Sequence, residues 1–176
     1  MLDPIIAIMF AVFGFYDMST NYCGTAGGCL AYQEAQQRLS ISGGAVVFDG
    51  EHISEEAYLK YEFGQTRGPF QPTVGVAITG DGDTWAGVGA SYTKQWDHFY
   101  VQLSGSAGLH FTQNGPDIGS TVEFRSEAEI GYEWDNGIRL GMFVDHRSNA
   151  GLSATNPGLE TIQVRLSFPL GNKRVR

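Results

Sequence analysis

Basic residues are scarce in this sequence. Lysine and arginine together number 11 against 19 aspartates and glutamates, for a net charge of −8. With no basic patch to neutralise phosphates, nucleic acid is excluded as a partner. Long hydrophobic runs are also missing. Beyond the N-terminal segment no stretch approaches the ~18 apolar residues of a membrane-spanning helix, which excludes helical spans there but says nothing against a β-barrel. Proline occurs only six times and cysteine twice. The two cysteines, Cys23 and Cys29, bracket a glycine-rich stretch and can close a small disulfide loop in an oxidising compartment. That stretch lacks the further ligands a metal site needs.

Glycine and aromatics, by contrast, are abundant: 24 glycines, 11 phenylalanines, eight tyrosines and three tryptophans in 176 residues. This mixture points to one all-β domain rather than a helical one. Pro4 to Tyr16 is apolar and has the length of a signal-peptide core, yet no Lys or Arg precedes it and Asp3 is acidic. An export signal, a displaced start and an ordered N-terminal segment all stay open. Leu30 to Gln37 reads as a polar linker or a helical turn. Residues 1–37 are thus an N-terminal segment, 38–170 the main domain, and 171–176 a basic tail ending in Lys173-Arg174-Val175-Arg176.

From Arg38 onward the period is two, over eight runs: Arg38–Phe48, Ser54–Gly64, Phe70–Thr79, Trp85–Thr93, His98–Phe111, Thr121–Trp134, Gly137–His146 and Leu159–Phe168. Turn chemistry separates them, as in Asp49-Gly50, Asn114-Gly115-Pro116-Asp117 and Asp135-Asn136-Gly137. Eight antiparallel strands permit closure into an up-and-down barrel, which abolishes the sheet edges.

Which face lies inside decides the class. In the sixth run Val122, Phe124, Ala128, Ile130, Tyr132 and Trp134 alternate with Glu123, Arg125, Glu127 and Glu129. Acids and bases mixed on one face, with aromatics near strand ends on the other (Phe63, Phe70, Phe99, Phe111), describe a barrel with a charged interior and a lipid-facing apolar wall. A soluble, lipocalin-like barrel would invert these faces. The expected fold is an eight-stranded transmembrane β-barrel of outer-membrane type.

Parity then singles out three polar residues. His146 and Ser148 continue the apolar parity of the seventh run, and Glu160 shares that of Ile162 and Val164 in the eighth. Polar groups on a lipid-facing wall are costly and need a reason, although the cost falls near the interface. A hairpin symmetric about Ser153 would set Glu160 opposite His146, with Cβ atoms ~5 Å apart. On an ideal strand His146 and Ser148 stand about 7 Å apart, so the chain must bend after His146 for the two to meet. A serine nucleophile, a histidine base and an orienting glutamate make a hydrolytic triad. His52, in a turn, and His98, at a strand start, offer less, and interior parity assigns His110 a hydrogen-bonding role.

The string His146-Arg147-Ser148-Asn149-Ala150-Gly151-Leu152, with Asn156-Pro157-Gly158 and Glu160, resembles the C-terminal signature of PagL-type lipid A 3-O-deacylases. The resemblance implies an outer-membrane barrel whose Ser148, His146 and Glu160 act as nucleophile, base and orienting acid. It also implies an oxyanion hole from the N–H groups of Asn149 and Gly151. The implied substrate is the ester-linked 3-hydroxyacyl chain at position 3 of lipid A in the bacterial outer membrane, cleaved without metal or organic cofactor. A homodimer or a place in a larger membrane complex stays open. The rival reading is a non-catalytic outer-membrane barrel with a structural or assembly role.

Overall fold

The computed structural model describes residues 3–171. Helix α1 (Asp3–Asn21) precedes ten strands: β1 (Tyr32–Glu34), β2 (Gln37–Phe48), β3 (Glu51–Glu62), β4 (Gln65–Arg67), β5 (Phe70–Thr79), β6 (Thr84–Trp96), β7 (Phe99–Phe111), β8 (Val122–Glu133), β9 (Arg139–Ser148) and β10 (Leu159–Leu170). The eight long strands follow one another as antiparallel neighbours. β10 then returns to β2, pairing from Glu160–Val47 to Leu170–Gln37. The sheet is therefore an eight-stranded closed barrel whose strands are long enough to cross the hydrocarbon of a bilayer when tilted.

The barrel faces alternate as the charge pattern requires. Glu123, Arg125, Glu127 and Glu129 are buried, while Phe124 and Ile130 on the same strand are 41% and 65% exposed. Ile41, Val76, Val88, Met142 and Val164 are likewise exposed on their strands. An apolar outer wall and a charged interior place this barrel in lipid, so the outer-membrane type holds and the soluble alternative falls.

Most interior charges are held by several partners each; Glu123 is an exception, with neither carboxylate oxygen hydrogen-bonded among the described residues. Arg125 bonds Glu56 at 2.9 Å and Asp145 at 2.5 Å, and its guanidinium stacks 3.9 Å from the centre of the Tyr58 ring. Arg165 reaches Glu129 at 2.5 Å and Glu127 at 2.9 Å. Lys60 donates to Ser104, Gln102 and Glu127. Such groups persist away from water only because their donors and acceptors are matched.

The strands extend past the sequence-based limits in places. β3 begins at Glu51 and β9 continues to Ser148. The segment read as a polar linker contains β1, which pairs with β4 and has no helical turn between Leu30 and Gln37. Apolar Pro4 to Tyr16 lies within α1. The basic residues Lys173, Arg174 and Arg176 lie outside the described residues.

α1 lies against the outer wall over β7, β8 and β9. Its inward residues Ile6, Phe10, Gly14 and Met18 recur every four positions, which stacks them on one helix face. Gly14 abuts the ring of Phe70, where any Cβ would overlap Cε1. Phe10 and Phe15 pack on that ring with centroids 5.4 and 5.8 Å away. After the helix, Cys23 and Cys29 are disulfide-bonded, and the Cys29 carbonyl packs against Gly68 in the β4–β5 turn.

Candidate active site

The two ends of the barrel differ. One end carries the ten-residue connections 112–121 and 149–158 and the short turns 49–50 and 80–83, while the other has the connection 63–69 that contains β4, short turns at 97–98 and 134–138, and the start and end of the strand series at Gln37 and Leu170. Longer loops mark the outward end of bacterial barrels and short turns the periplasmic end. His146, Ser148 and Glu160 all lie at the end with the long loops.

β9 and β10 pair with His146 directly opposite Glu160. Their side chains approach to 3.7 Å between Nδ1 and Oε1. The imidazole is also packed by Gly158, which has a φ of 77° and stands so close that an added Cβ would press into Cε1 and lie 3.1 Å from Nε2. Only glycine satisfies both the left-handed backbone and the proximity of the ring.

Ser148 is the last residue of β9 and keeps its pairing with Phe124 of β8. Arg147 between the two pairs with both Arg125 and Leu159. The sharp change of direction therefore falls after Ser148, at Ala150 (φ 51°) and Gly151 (φ 80°), and the strand stays regular between His146 and Ser148. A left-handed φ at alanine is uncommon and is held here by the loop around it.

That loop is organised by Asn149, whose side chain is fully buried. Its Nδ2 donates to the carbonyls of Ile118 and Thr155 at 3.1 and 2.7 Å, and its Oδ1 accepts the Gly151 N–H at 2.9 Å. The Asn149 N–H donates to Asn156 Oδ1 at 3.0 Å. Both backbone groups named for an oxyanion hole thus donate to asparagine side chains in this structure.

From the interior, the neighbours of His146 pin β9 in place. Asp145 accepts from Arg125 and from the Thr161 hydroxyl, and Arg147 is bound to Glu56. Residues on one parity are clamped by charge, so those on the other are presented to the outer wall with a fixed backbone direction.

His146 and Ser148 are each only 6% exposed, unusual for outward positions on a barrel. Leu103 and Ser126, also outward by parity, are buried too. All four lie on strands that α1 covers. A cleft of about 700 Å³ opens along this edge. Ala7 and Phe10 of the helix line one side, and Val88, Ala107, Phe124 and Ser148 of the barrel line the other. This cover is not evident from strand parity; its signal in the sequence is the four-residue spacing from Ile6 to Met18.

The remaining histidines stand apart. His52 is exposed, 3.7 Å from Glu55, and His98 donates from Nδ1 to the Glu133 carbonyl and stacks on Tyr132. Buried His110 lies 3.9 Å from Asp83 and has no hydrogen bond to its ring among the described residues, so the hydrogen-bonding role expected for it is not seen. No cluster of three metal-ligating side chains occurs among the described residues.

Fold and site together describe an outer-membrane-type barrel with a Ser, a His and a Glu gathered on its outer wall near one rim. The model of the lipid A 3-O-deacylase (PagL) family matches residues 58–169, and the chain belongs to that family. It is 26% identical over 91 residues to a protein of Bordetella bronchiseptica described as lipid A deacylase PagL. That match covers 49% of this chain and 51% of the relative, so the chain spans about half the length of the curated relative it matches. Among solved structures, the outer-membrane enzyme PagL superposes with a TM-score of 0.58 at 21% identity, covering 76% of this chain and 99% of that one. A designed transmembrane β-barrel gives 0.57 at 10% identity, covering 78% and 98%. At these identities the likeness shows the fold. α1 lies outside the segment that the family model matches.

Proposed function

We propose that the chain is an outer-membrane hydrolase that removes the ester-linked 3-hydroxyacyl chain at position 3 of lipid A. The carrying observation is the cross-strand pairing of His146 with Glu160 on the outer wall, with Ser148 next on the same face, inside the family-matched stretch. With β9 straight, His146 and Ser148 meet through their side chains, the imidazole leaning along the strand toward the serine rather than the backbone bending. Ser148 Oγ attacks the acyl carbonyl while its proton passes to His146 Nε2, and Glu160 at Nδ1 orients the ring and stabilises its charged form. The bond to the glucosamine oxygen then breaks, and that oxygen takes the proton from His146. Water, deprotonated in turn by His146, releases the fatty acid and restores the serine.

The developing oxyanion needs donors, and the N–H groups of Asn149 and Gly151 are next in the chain. They serve when Asn156 and the Asn149 carbonyl oxygen of the side chain yield to the substrate oxygen. Asn156 sits in an exposed part of the loop, where that exchange displaces little. The location fits the substrate. Near the long-loop rim, the outer wall meets the leaflet in which lipopolysaccharide lies, and an acyl ester reaches Ser148 sideways without entering the charged lumen.

The experiment is mass spectrometry of lipid A from cells producing the wild type or Ser148→Ala. Loss of one 3-hydroxyacyl chain with wild type alone is the expected result. An unchanged lipid A pattern with folded wild-type barrel in the outer membrane sinks the reading.

A further inference from the structure

We propose that α1 builds the second wall of an acyl-chain cleft beside Ser148, with Ala7 and Phe10 determining which chains the site accepts. The proposal rests on the esterase reading for its substrate class, a saturated fatty-acyl ester of a membrane lipid.

The cleft crosses the outer wall from Ser148 on β9 through Phe124 on β8 and Ala107 on β7 to Val88 on β6, positions that pair in register from strand to strand. Three inter-strand steps make a path of about 14 Å. Its volume of about 700 Å³ falls within the range of small-ligand sites. The side chains that point outward along it are apolar except for Ser148 at one end and Ser126 on the neighbouring strand.

The helix is fitted to the barrel at this place. On the neighbouring register row, running from His146, the outward residues are Ser126, Gly105 and Ala90. These small residues make a trough. The ring of Phe10 fills it, with two ring carbons 3.5 Å from where a Gly105 Cβ would stand. The opposite face of α1 is apolar as well, with Ile5, Ile8, Val12 and Phe13 all about half exposed. A helix apolar all round is at home against a barrel on one side and lipid on the other.

This setting makes the wall selective. An acyl chain that moves from the leaflet into the cleft exchanges one apolar environment for another, so burial supplies little net driving force. Discrimination between chains must come from shape, and on one side of the cleft the shape is set by Ala7 and Phe10.

The test uses the full chain in vesicles of phospholipid and lipopolysaccharide. Intact mass of the protein isolated from the outer membrane comes first, because a mature chain that begins beyond Phe10 overturns the proposal. Hydrolysis of dodecanoyl and butanoyl esters is then compared for wild type, Ala7→Trp and Phe10→Ala. Ala7→Trp is expected to lower the long-to-short ratio of kcat/KM by about tenfold or more, and Phe10→Ala to raise it. A ratio unchanged in both variants, with α1 retained, overturns the proposal. A dodecanoyl ester with a terminal diazirine, bound to Ser148→Ala protein, provides a readout that needs no turnover. Labels on the peptide containing Ala7 and Phe10 and on the strand containing Val88 are expected. Labels on the barrel alone overturn the proposal. Labelling of both walls together with a wild type that cleaves no ester keeps the cleft and removes the hydrolase.

Discussion

The interior of this barrel and its outer rim use the same residue types to opposite ends. Inside, Glu56 takes Arg125, Arg147 and Gln163 at once, and Glu127 takes Lys60 and Arg165. On the rim, Glu160 meets His146 at 3.7 Å, and its side chain remains 34% exposed. Most interior charges are tied to several partners, which gives stability; Glu123 and His110 are exceptions, with no hydrogen bond to their side chains among the described residues. The rim residues are held by their backbone and by glycine and asparagine contacts. In the proposed reading their chemistry is directed at a substrate. Paired polar groups in a barrel teach little about function until it is known which wall they stand on.

Exchange of roles is the sharpest way to break this comparison. Ser148→Ala should abolish deacylation, with a loss of roughly 10³-fold or more. It should leave thermal unfolding of the barrel nearly unchanged, within the ~1 kcal/mol of a single hydrogen bond. Heat-modified mobility in SDS gels and lipid A mass spectra read the two effects separately. A Ser148→Ala barrel that fails to fold would contradict the division between walls.

Glu56→Ala is the converse case. It strips three partners and leaves two arginines buried without their carboxylate, at a cost of about 3–5 kcal/mol. Urea unfolding in vesicles should show that loss. A folded Glu56→Ala barrel of ordinary stability would mean that the interior network is not what holds β9.

Much of this division was legible in sequence, and the reason is parity. Runs such as Val122 to Trp134 alternate at every position but Ser126, so the wall on which each residue stands follows from its number. The opposition of His146 and Glu160 came from a symmetric hairpin about Ser153, which the β9–β10 pairing reproduces. The bend was misplaced. The clamps on Asp145 and Arg147 keep the strand straight through Ser148, and those clamps arise from residues 16 to 91 positions away, which no local pattern reveals. The cover provided by α1 was illegible for a related reason. Its four-residue spacing shows a helix face, but the trough of Ser126, Gly105 and Ala90 that receives it appears only when three strands lie side by side.

A smaller perturbation tests the rim from within. Gly158→Ala adds one methyl group where it meets the His146 ring and forces alanine into a left-handed φ of 77°. Displacement of the imidazole should cost on the order of 10²-fold in kcat. Barrel stability should move far less, since Gly158 lies at the edge of the loop. Equal activity in the variant would show that the ring does not need its present position.

The mildest change addresses the oxyanion donors. Asn156→Ala removes the acceptor that engages the Asn149 N–H at 3.0 Å while keeping Asn149's own bonds to Ile118 and Thr155. If that N–H serves the oxyanion, the substrate no longer competes with Asn156 for it. The resting loop meanwhile loses one hydrogen bond, worth about 1 kcal/mol. The expected outcome is a slightly lower unfolding temperature with kcat preserved or raised a few-fold, by an amount within the same ~1 kcal/mol. A large fall in kcat would assign Asn156 to the holding of the catalytic loop instead. The rim would then resemble the interior, with its polar contacts serving structure before chemistry.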